Sequence, residues 1–224
     1  MTYPILVVMG LDETPNPLYP SPGDEPNTVK LLPDDGQTIR VFCNALRSLR
    51  SVNGHDETMG ELAGCEASLF ITEKRVAVAC SKYDKGGRLR GYGAGGLAVA
   101  GLANVASMAL AAHRRRGQML VGHVQFEWLA AGVAWDRKGR GSANQIRLLM
   151  RDPTADGLVK LNIQLDKRNM ASPYLEQIMS RAAHFQAGLA QSLELKEKLE
   201  AYALSPERTV NAKTNATSFL LPTK

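Results

Sequence analysis

Residues 68–80 read SLFITEKRVAVAC, and this stretch decides the fold. An apolar run ending at Ile71 is followed by the polar triplet Thr72-Glu73-Lys74 and then by a second apolar run. Alternate residues of the second run fall on opposite faces of an extended chain, Val76, Val78 and Cys80 on one and Arg75, Ala77 and Ala79 on the other. The pattern predicts a β-hairpin with a short polar turn.

Further alternating segments lie on both sides of this hairpin. Residues 118–135, 145–151 and 159–165 are predicted strands, and VKLNIQL at 159–165 is the cleanest half-buried pattern in the chain. Residues 3–9 are apolar enough for a short strand. Residues 38–50 fit both a strand and a helix, and we favour a strand passing into a turn, whereas residues 51–64 are polar and predict a loop.

A long amphipathic helix is predicted to follow the last of these strands. Ser172 suits the N-cap and Pro173 the first helical position. One apolar stripe then runs along the helix: Leu175, Ile178, Met179, Ala182, Phe185, Leu189 and Leu193. Residues 196–224 are expected to form a polar tail with an apolar patch at 219–221.

The order of these elements predicts an α+β fold, an antiparallel β-barrel of about seven strands closed by a C-terminal capping helix. Three parts are expected: a strand plus a Pro/Asp-rich arm over 1–37, the barrel domain over 38–195, and the polar tail. A Gly/Ala-rich helix is inserted in the domain at about 94–116. The arm holds six prolines among acids and glycines, a composition that sustains neither a helix nor a central strand.

Over residues 38–190 the chain resembles the pleckstrin-homology-like superfold, especially bacterial PH-like and GRAM-like domains. The resemblance rests on the hairpin at 68–80 with Thr72 and Arg75 at its turn, on VKLNIQL, and on the helix sequence SPYLEQIMSRAAHF. That superfold has lipid-binding, peptide-binding and purely structural members. The resemblance therefore implies an interaction module and no catalysis.

The inserted segment, Gly91–Ala112, is uncharged and rich in glycine and alanine. It is long enough to span a membrane, but its small residues provide little transfer free energy. The other two interpretations are a helix packed on the domain or on a second copy, through small residues at four-residue spacing, and peripheral insertion into a bilayer. The expected apolar interaction face comprises Leu97, Leu102, Val105, Met108 and Leu110.

Basic clusters flank this segment on both sides. They are the candidate lipid- or anion-binding residues, and they comprise Lys82, Lys85, Arg88, Arg90, Arg114, Arg115 and Arg116. Together with the apolar face they predict binding to a protein partner or to an anionic membrane surface, with homo-oligomerisation as an alternative. A further interpretation of these residues is a charged collar that keeps an apolar helix soluble. Nucleic acid is the least favoured partner, because no nucleic-acid motif is present and aromatic residues do not interleave with the basic ones.

The glycines Gly91, Gly93 and Gly96 satisfy G-x-G-x-x-G, which leaves a nucleotide-binding protein or enzyme as a further alternative. A dinucleotide site needs an acidic residue about 20 positions on, and arginines 114–116 stand there instead. The histidines and the three scattered cysteines lack metal-ligand spacing, so no metal and no cofactor are expected. Cysteine usage and the lack of a signal-peptide pattern favour the cytoplasm, with peripheral membrane association as an option.

Overall fold

The computed structural model describes residues 6–10, 20–52, 55–62, 66–81, 113, 118–136, 143–151 and 158–223. Thirteen strands occur there: β1 Leu6–Gly10, β2 Ser21–Pro22, β3 Val29–Lys30, β4 Ile39–Val52, β5 His55–Leu62, β6 Ala67–Ile71, β7 Arg75–Cys80, β8 Gln118–Gln125, β9 Leu129–Trp135, β10 Gln145–Arg151, β11 Leu158–Leu165, β12 Arg208–Asn211 and β13 Ala216–Leu220. Two helices follow β11, α1 Ala171–Leu189 and α2 Leu193–Leu204, and 3-10 turns occupy Pro33–Asp35 and Phe126–Trp128.

Eleven strands form one antiparallel sheet in the order β1-β8-β7-β6-β4-β11-β10-β9-β13-β12, with β5 paired to β4 beside β6. The α+β class is thus confirmed. The predicted closed barrel of about seven strands is wrong, because β1 and β12 end the sheet and no pairing between described strands joins them. The alternating pattern of single strands carries no information on how far the sheet extends or whether its ends meet.

The long strand β4 explains the ambiguous segment at 38–50. Its first half pairs with β6, its second half with β5, and β11 pairs along the opposite edge. A strand with neighbours on both sides satisfies its backbone groups through the ladders, which overrides a competing local helical pattern. Within the segment predicted as a loop, 51–64, residues 51 and 52 end β4 and residues 55–62 form β5.

The predicted hairpin at 68–80 is confirmed as β6 and β7, with Leu69 opposite Val78 and Ile71 opposite Val76. On one face of the sheet, Val76, Val78 and Cys80 join the main core, and Cys43 is buried there as well. On the other face, Ala77 and Ala79 join a second, smaller cluster with Phe70.

Helix α1 covers the main core on the first face of the sheet. It lies across β9, where Gly132 allows the close approach of Leu175 from the helix. The apolar stripe predicted from the sequence is largely the buried face: Leu175, Ile178, Met179 and Ala182 are fully buried. Two side chains anchor the helix to loop carbonyls, Arg181 to those of Gln37 and Ile71, and Gln186 to those of Phe126 and Leu129.

The start of α1 differs from the prediction. The helix begins at Ala171 after Met170, so Ser172 is not the N-cap. The carboxylate of Asp136, at the end of β9, instead accepts hydrogen bonds from the backbone N–H groups of Ala171 and Ser172. A carboxylate stabilises a helix N-terminus by satisfying free donors and by opposing the dipole, and here it comes from a distant strand.

The chain beyond α1 contains regular elements where the sequence predicts a polar tail. Ala190 ends α1, and the hydroxyl of Ser192 accepts the N–H of Leu195 to cap α2. Strand β13 then pairs with β9 and buries Phe219, while β12 forms an exposed sheet edge. The apolar patch at 219–221 is therefore part of the core, with Leu221 also buried.

The described part of the Pro/Asp-rich arm, residues 20–37, lies over the second face of the sheet. The short ribbon β2–β3 contacts β7 and β8, and Val29 and Leu31 pack on the cluster formed by Phe70, Ala77 and Met119 with their neighbours. The arm thus covers β6, β7 and β8, and the remaining half of that face presents half-buried or exposed side chains.

Candidate functional site

The binding residues predicted from the sequence all lie outside the described residues. This holds for the basic candidates Lys82, Lys85, Arg88, Arg90, Arg114, Arg115 and Arg116, and for the apolar candidates Leu97, Leu102, Val105, Met108 and Leu110. It also holds for the glycines of the G-x-G-x-x-G motif. Whether the two basic clusters converge stays a prediction. The described residues contain two other arrangements of polar side chains, one buried and one exposed.

The buried arrangement is an ion pair between Asp35 of the arm and Arg75 of β7. Nε of Arg75 donates to Oδ1 of Asp35 at 2.8 Å, and both side chains are more than nine-tenths buried. The second carboxylate oxygen accepts the backbone N–H of Leu32 at 2.9 Å, within the 3-10 turn. A buried charge needs such a complete set of partners, because the desolvation cost is otherwise unopposed.

The turn of the hairpin is built around the same pair. The buried hydroxyl of Thr72 donates to the carbonyl of Arg75 at 2.8 Å and accepts the backbone N–H groups of Lys74 and Arg75. The N–H of Glu73 donates to the carbonyl of Asp35 at 2.9 Å. Nearby, Lys74 forms an exposed ion pair with Asp34. Arm and hairpin turn are therefore joined by both side-chain and backbone bonds.

His123 of β8 completes the buried arrangement. Its Nδ1 lies 3.4 Å from a terminal nitrogen of Arg75, and its ring meets Trp128 edge-on at 5.6 Å between centroids. Because a guanidinium only donates, Nδ1 accepts and the ring is neutral. Burial, and next the charge of Arg75, lower the pKa of His123 to about 3. These buried contacts therefore hold the arm on the sheet.

The buried neutral state of His123 makes stability depend on pH. Between pH 6.5 and about 3 the unfolded chain binds a proton at this histidine and the folded chain does not, so its contribution is present above pH 6.5 and is lost as the pH falls. The free energy of unfolding should therefore change with pH in this window. We expect His123→Gln to make that slope smaller by up to about 1.4 kcal/mol per pH unit. Urea titrations at pH 4.5, 5.5 and 6.5 measure it.

His184, exposed on α1, provides the matched control. His184→Gln should keep the slope of the unchanged protein, because it leaves the buried ring of His123 in place. An unchanged slope in His123→Gln would contradict the buried neutral ring.

The exposed arrangement lies on the half of the second sheet face that the arm leaves open. Alternate residues of β9, β10 and β11 are buried in the core, and those between them point to this face: Val133, Trp135, Gln145, Arg147, Asn162 and Gln164. We call this set the open sheet face. The guanidinium carbon of Arg147 lies 5.2 Å from the ring centroid of Trp135, and its Nε donates to Oδ1 of Asn162 at 2.7 Å.

A groove of about 920 Å³ lies between α2 and the β12–β13 hairpin, with Tyr202, Lys198 and Arg208 among its lining residues. The hydroxyl of Tyr202 is buried and finds no hydrogen-bond acceptor among the described residues. Burial, and next the carboxylate of Glu207, raise the pKa of Tyr202 to about 12, so the phenol stays protonated at neutral pH. Because the hydroxyl is sealed from solvent, a ligand in the groove cannot reach it without movement of the wall.

Candidate metal clusters and membrane-spanning helices are absent from the part of the chain that the structure describes. No three histidine, cysteine, aspartate or glutamate side chains there come close enough together to hold a metal ion. None of the helices described there is both long and apolar enough to cross a bilayer.

Sequence reasoning missed both arrangements. Asp35 lies in the proline-rich arm, 40 positions before Arg75, and nothing local marks it as buried. Trp135 and Arg147 each alternate with core residues in the sequence, so the pattern places both on the face opposite the core. Their contact, however, depends on the register between β9 and β10, which the sequence does not show. An exposed tryptophan position in a strand is the one signal that was available.

Comparison of the chain with protein-family models, with curated proteins and with solved structures gives no match.

Proposed function

We propose that this protein is a non-catalytic interaction module that binds a protein partner through the open sheet face. The observation that carries the proposal is the contact between Arg147 and Trp135, which holds a cation and a large aromatic ring together on a half-exposed surface. The opposite face of the same strands is fully covered by α1 and the core. A tryptophan is the costliest side chain to leave half exposed, and tryptophan and arginine are the residues most enriched where proteins bind each other.

The rigidity of this surface supports the same function. Its side chains stand on β9, β10 and β11, where β10 pairs with both neighbours and β11 also pairs with β4. The register shifts at Leu149/Met150 in the β10–β9 pair and at Gln164/Leu165 in the β11–β4 pair. A face on central strands is already ordered before binding, so association loses little conformational entropy. Val133 is opposite Arg147 in register, and the half-buried Leu149 lies two positions beyond Arg147 on β10, so both add apolar residues near Arg147.

The predicted relation to PH-like and GRAM-like domains belongs to this proposal. It is supported by the antiparallel strands around the confirmed hairpin and by the helix that follows the last of them, in an open sheet and not a barrel. Binding through the inserted segment Gly91–Ala112 and its basic flanks, to a partner or to an anionic membrane, also stays a proposal. The open sheet face is the surface on which we base the test.

The test uses a phage-displayed heptapeptide library selected on the immobilised chain. We expect peptides that bind the unchanged protein and bind Trp135→Ala about tenfold or more weakly, because a central tryptophan contributes about 1–2 kcal/mol or more to an interface. Lys196→Ala, on an exposed position of α2, is the matched control and should bind as the unchanged protein does.

Two results would contradict the proposal: selection of no peptide, or peptides that bind Trp135→Ala as tightly as the unchanged protein. Co-sedimentation with vesicles of phosphatidylserine and phosphatidylcholine addresses the membrane alternative. Vesicle binding that Trp135→Ala leaves unaltered would replace the protein-partner proposal by the membrane one.

A further inference from the structure

Arg147 differs from the other arginine that stacks on aromatic rings. Arg40 lies over the rings of Phe42 and Phe70, and its donors bind Ser68 and the carbonyl of Asn27 in the arm. Its guanidinium is therefore used to join the arm to the sheet. In Arg147 only Nε is used, by Asn162, and both terminal nitrogens have no acceptor among the described residues.

Two contacts hold the guanidinium of Arg147. Its central carbon lies 5.2 Å from the ring centroid of Trp135, and its Nε donates to Oδ1 of Asn162. The edge formed by the two terminal nitrogens has no acceptor among the described residues. Such an edge presents two parallel N–H groups that match the two oxygens of a carboxylate or phosphate.

The charges around Arg147 favour an external anion. In its row of the sheet the cross-strand neighbours are Val133 and Asn162, both neutral. Lys160, on the same side of β11 as Asn162, instead pairs with Asp56 at 2.8 Å.

Asp56 itself is already engaged. The hydrogen bond from Lys160, followed by that from Ser51, holds the pKa of the Asp56 carboxyl below its usual value. The charge of Arg147 lowers the same pKa by a smaller amount, so Asp56 lies within electrostatic range of Arg147. Among the described residues, no carboxylate forms an ion pair with the half-buried Arg147. Partial burial also strengthens its attraction for an anion, since water screens the pair less.

We propose that Arg147 is an oxyanion receptor that binds a carboxylate or phosphate group on a side chain of the protein partner, through its two terminal nitrogens. Gln145 and Gln164 lie in the next row of the same face and offer amide donors to the same group or its neighbours. The inference rests on the proposed function, because it names the chemistry by which the open sheet face recognises its partner.

The test is an NMR titration of the full chain with acetate and with inorganic phosphate, against chloride as control. We expect the Nε–H resonance of Arg147 and the indole N–H of Trp135 to shift saturably with the two oxyanions. The exposed Arg168 serves as the internal control and should respond without saturation. The ratio of the two dissociation constants tells whether carboxylate or phosphate is preferred.

Two variants make the result specific. Arg147→Lys keeps the charge but lacks the planar pair of donors, and we expect about tenfold weaker binding at the Trp135 reporter. Asn162→Asp places a competing carboxylate beside Arg147 and should abolish saturable binding. Both keep the strand pattern, and their thermal unfolding checks the fold.

Equal, non-saturable shifts at Arg147 and Arg168 would overturn the inference, as would oxyanion binding that Arg147→Lys and Asn162→Asp leave unchanged. The proposed function fails separately. If peptides bind in a Trp135-dependent way but no oxyanion binds at Arg147, the proposed interaction module stands and the oxyanion receptor is wrong. If oxyanions bind at Arg147 but no peptide depends on Trp135, binding of an oxyanion stands and the protein-partner module is wrong.

Discussion

Asp35→Ala is expected to lower the free energy of unfolding by about 3–5 kcal/mol, because it leaves the buried guanidinium of Arg75 without its counter-charge. It also removes the acceptor for the N–H of Leu32 in the 3-10 turn. The lost interaction joins the arm to the sheet. Hydrogen exchange should therefore become faster in β2 and β3 than it does in β4. Urea unfolding gives the free energy, and exchange measured by mass spectrometry gives its location.

Asp34 is the matched control for this prediction. It is the adjacent carboxylate of the same turn and pairs with Lys74, but at the surface. Asp34→Ala should leave the unfolding midpoint almost unchanged, since exposed ion pairs contribute little. Exchanging both buried partners for apolar side chains, Asp35→Leu with Arg75→Met, should recover much of the loss. If Asp35→Ala and Asp34→Ala have equal effects, the pair does not hold the arm.

Leu175→Ala is expected to lower the free energy of unfolding by about 2–5 kcal/mol, because it opens a cavity where α1 crosses the sheet. Leu175 is fully buried and belongs to the main core. The position across from it is Gly132 of β9, at which an added Cβ would lie 2.4 Å from Cδ1 of Leu175. Gly132→Ala should therefore cost about 1–3 kcal/mol by overpacking.

The double variant tests whether these two residues are in direct contact. With Leu175 shortened, there is room for the methyl group at position 132. The double variant should therefore lose less unfolding free energy than the sum of the two single variants, by about 0.5–3 kcal/mol. Gly188→Ala, with nothing within 4 Å of the added Cβ, is the control and should stabilise the helix by about 0.5–1 kcal/mol. Strict additivity at 132 and 175 would contradict the packing.

The fold was predictable where a local pattern and tertiary packing agree. Strands β6, β7, β10 and β11 and the buried stripe of α1 follow from alternation and helical periodicity, because each buries one face on the same core. The predicted element boundaries were wrong where a residue distant in the sequence determines the local structure. Asp136 starts α1 in place of Ser172, and pairing with β9 turns part of the predicted tail into β13.

The site was predictable to a smaller extent. The sequence marks clusters of like charge, and those it marks lie outside the described residues. It cannot mark Arg147, one arginine in an alternating strand, because the significance of that residue depends on Trp135 and Asn162 from two other strands. It likewise places Asp35 in a solvated acidic arm, although the residue is buried against Arg75.

By itself, then, the sequence determined the strand–turn–strand at 68–80, the alternating strands and the amphipathic helix, since a period of 2 or 3.6 acts between near neighbours. Only the tertiary structure decided that the eleven described strands form one sheet whose end strands do not pair, that Asp35 binds Arg75, and that Trp135 and Arg147 meet on one face. The physical reason is that strand order and register join residues far apart in the chain. Pairing, burial and charge then act between partners that no local pattern specifies.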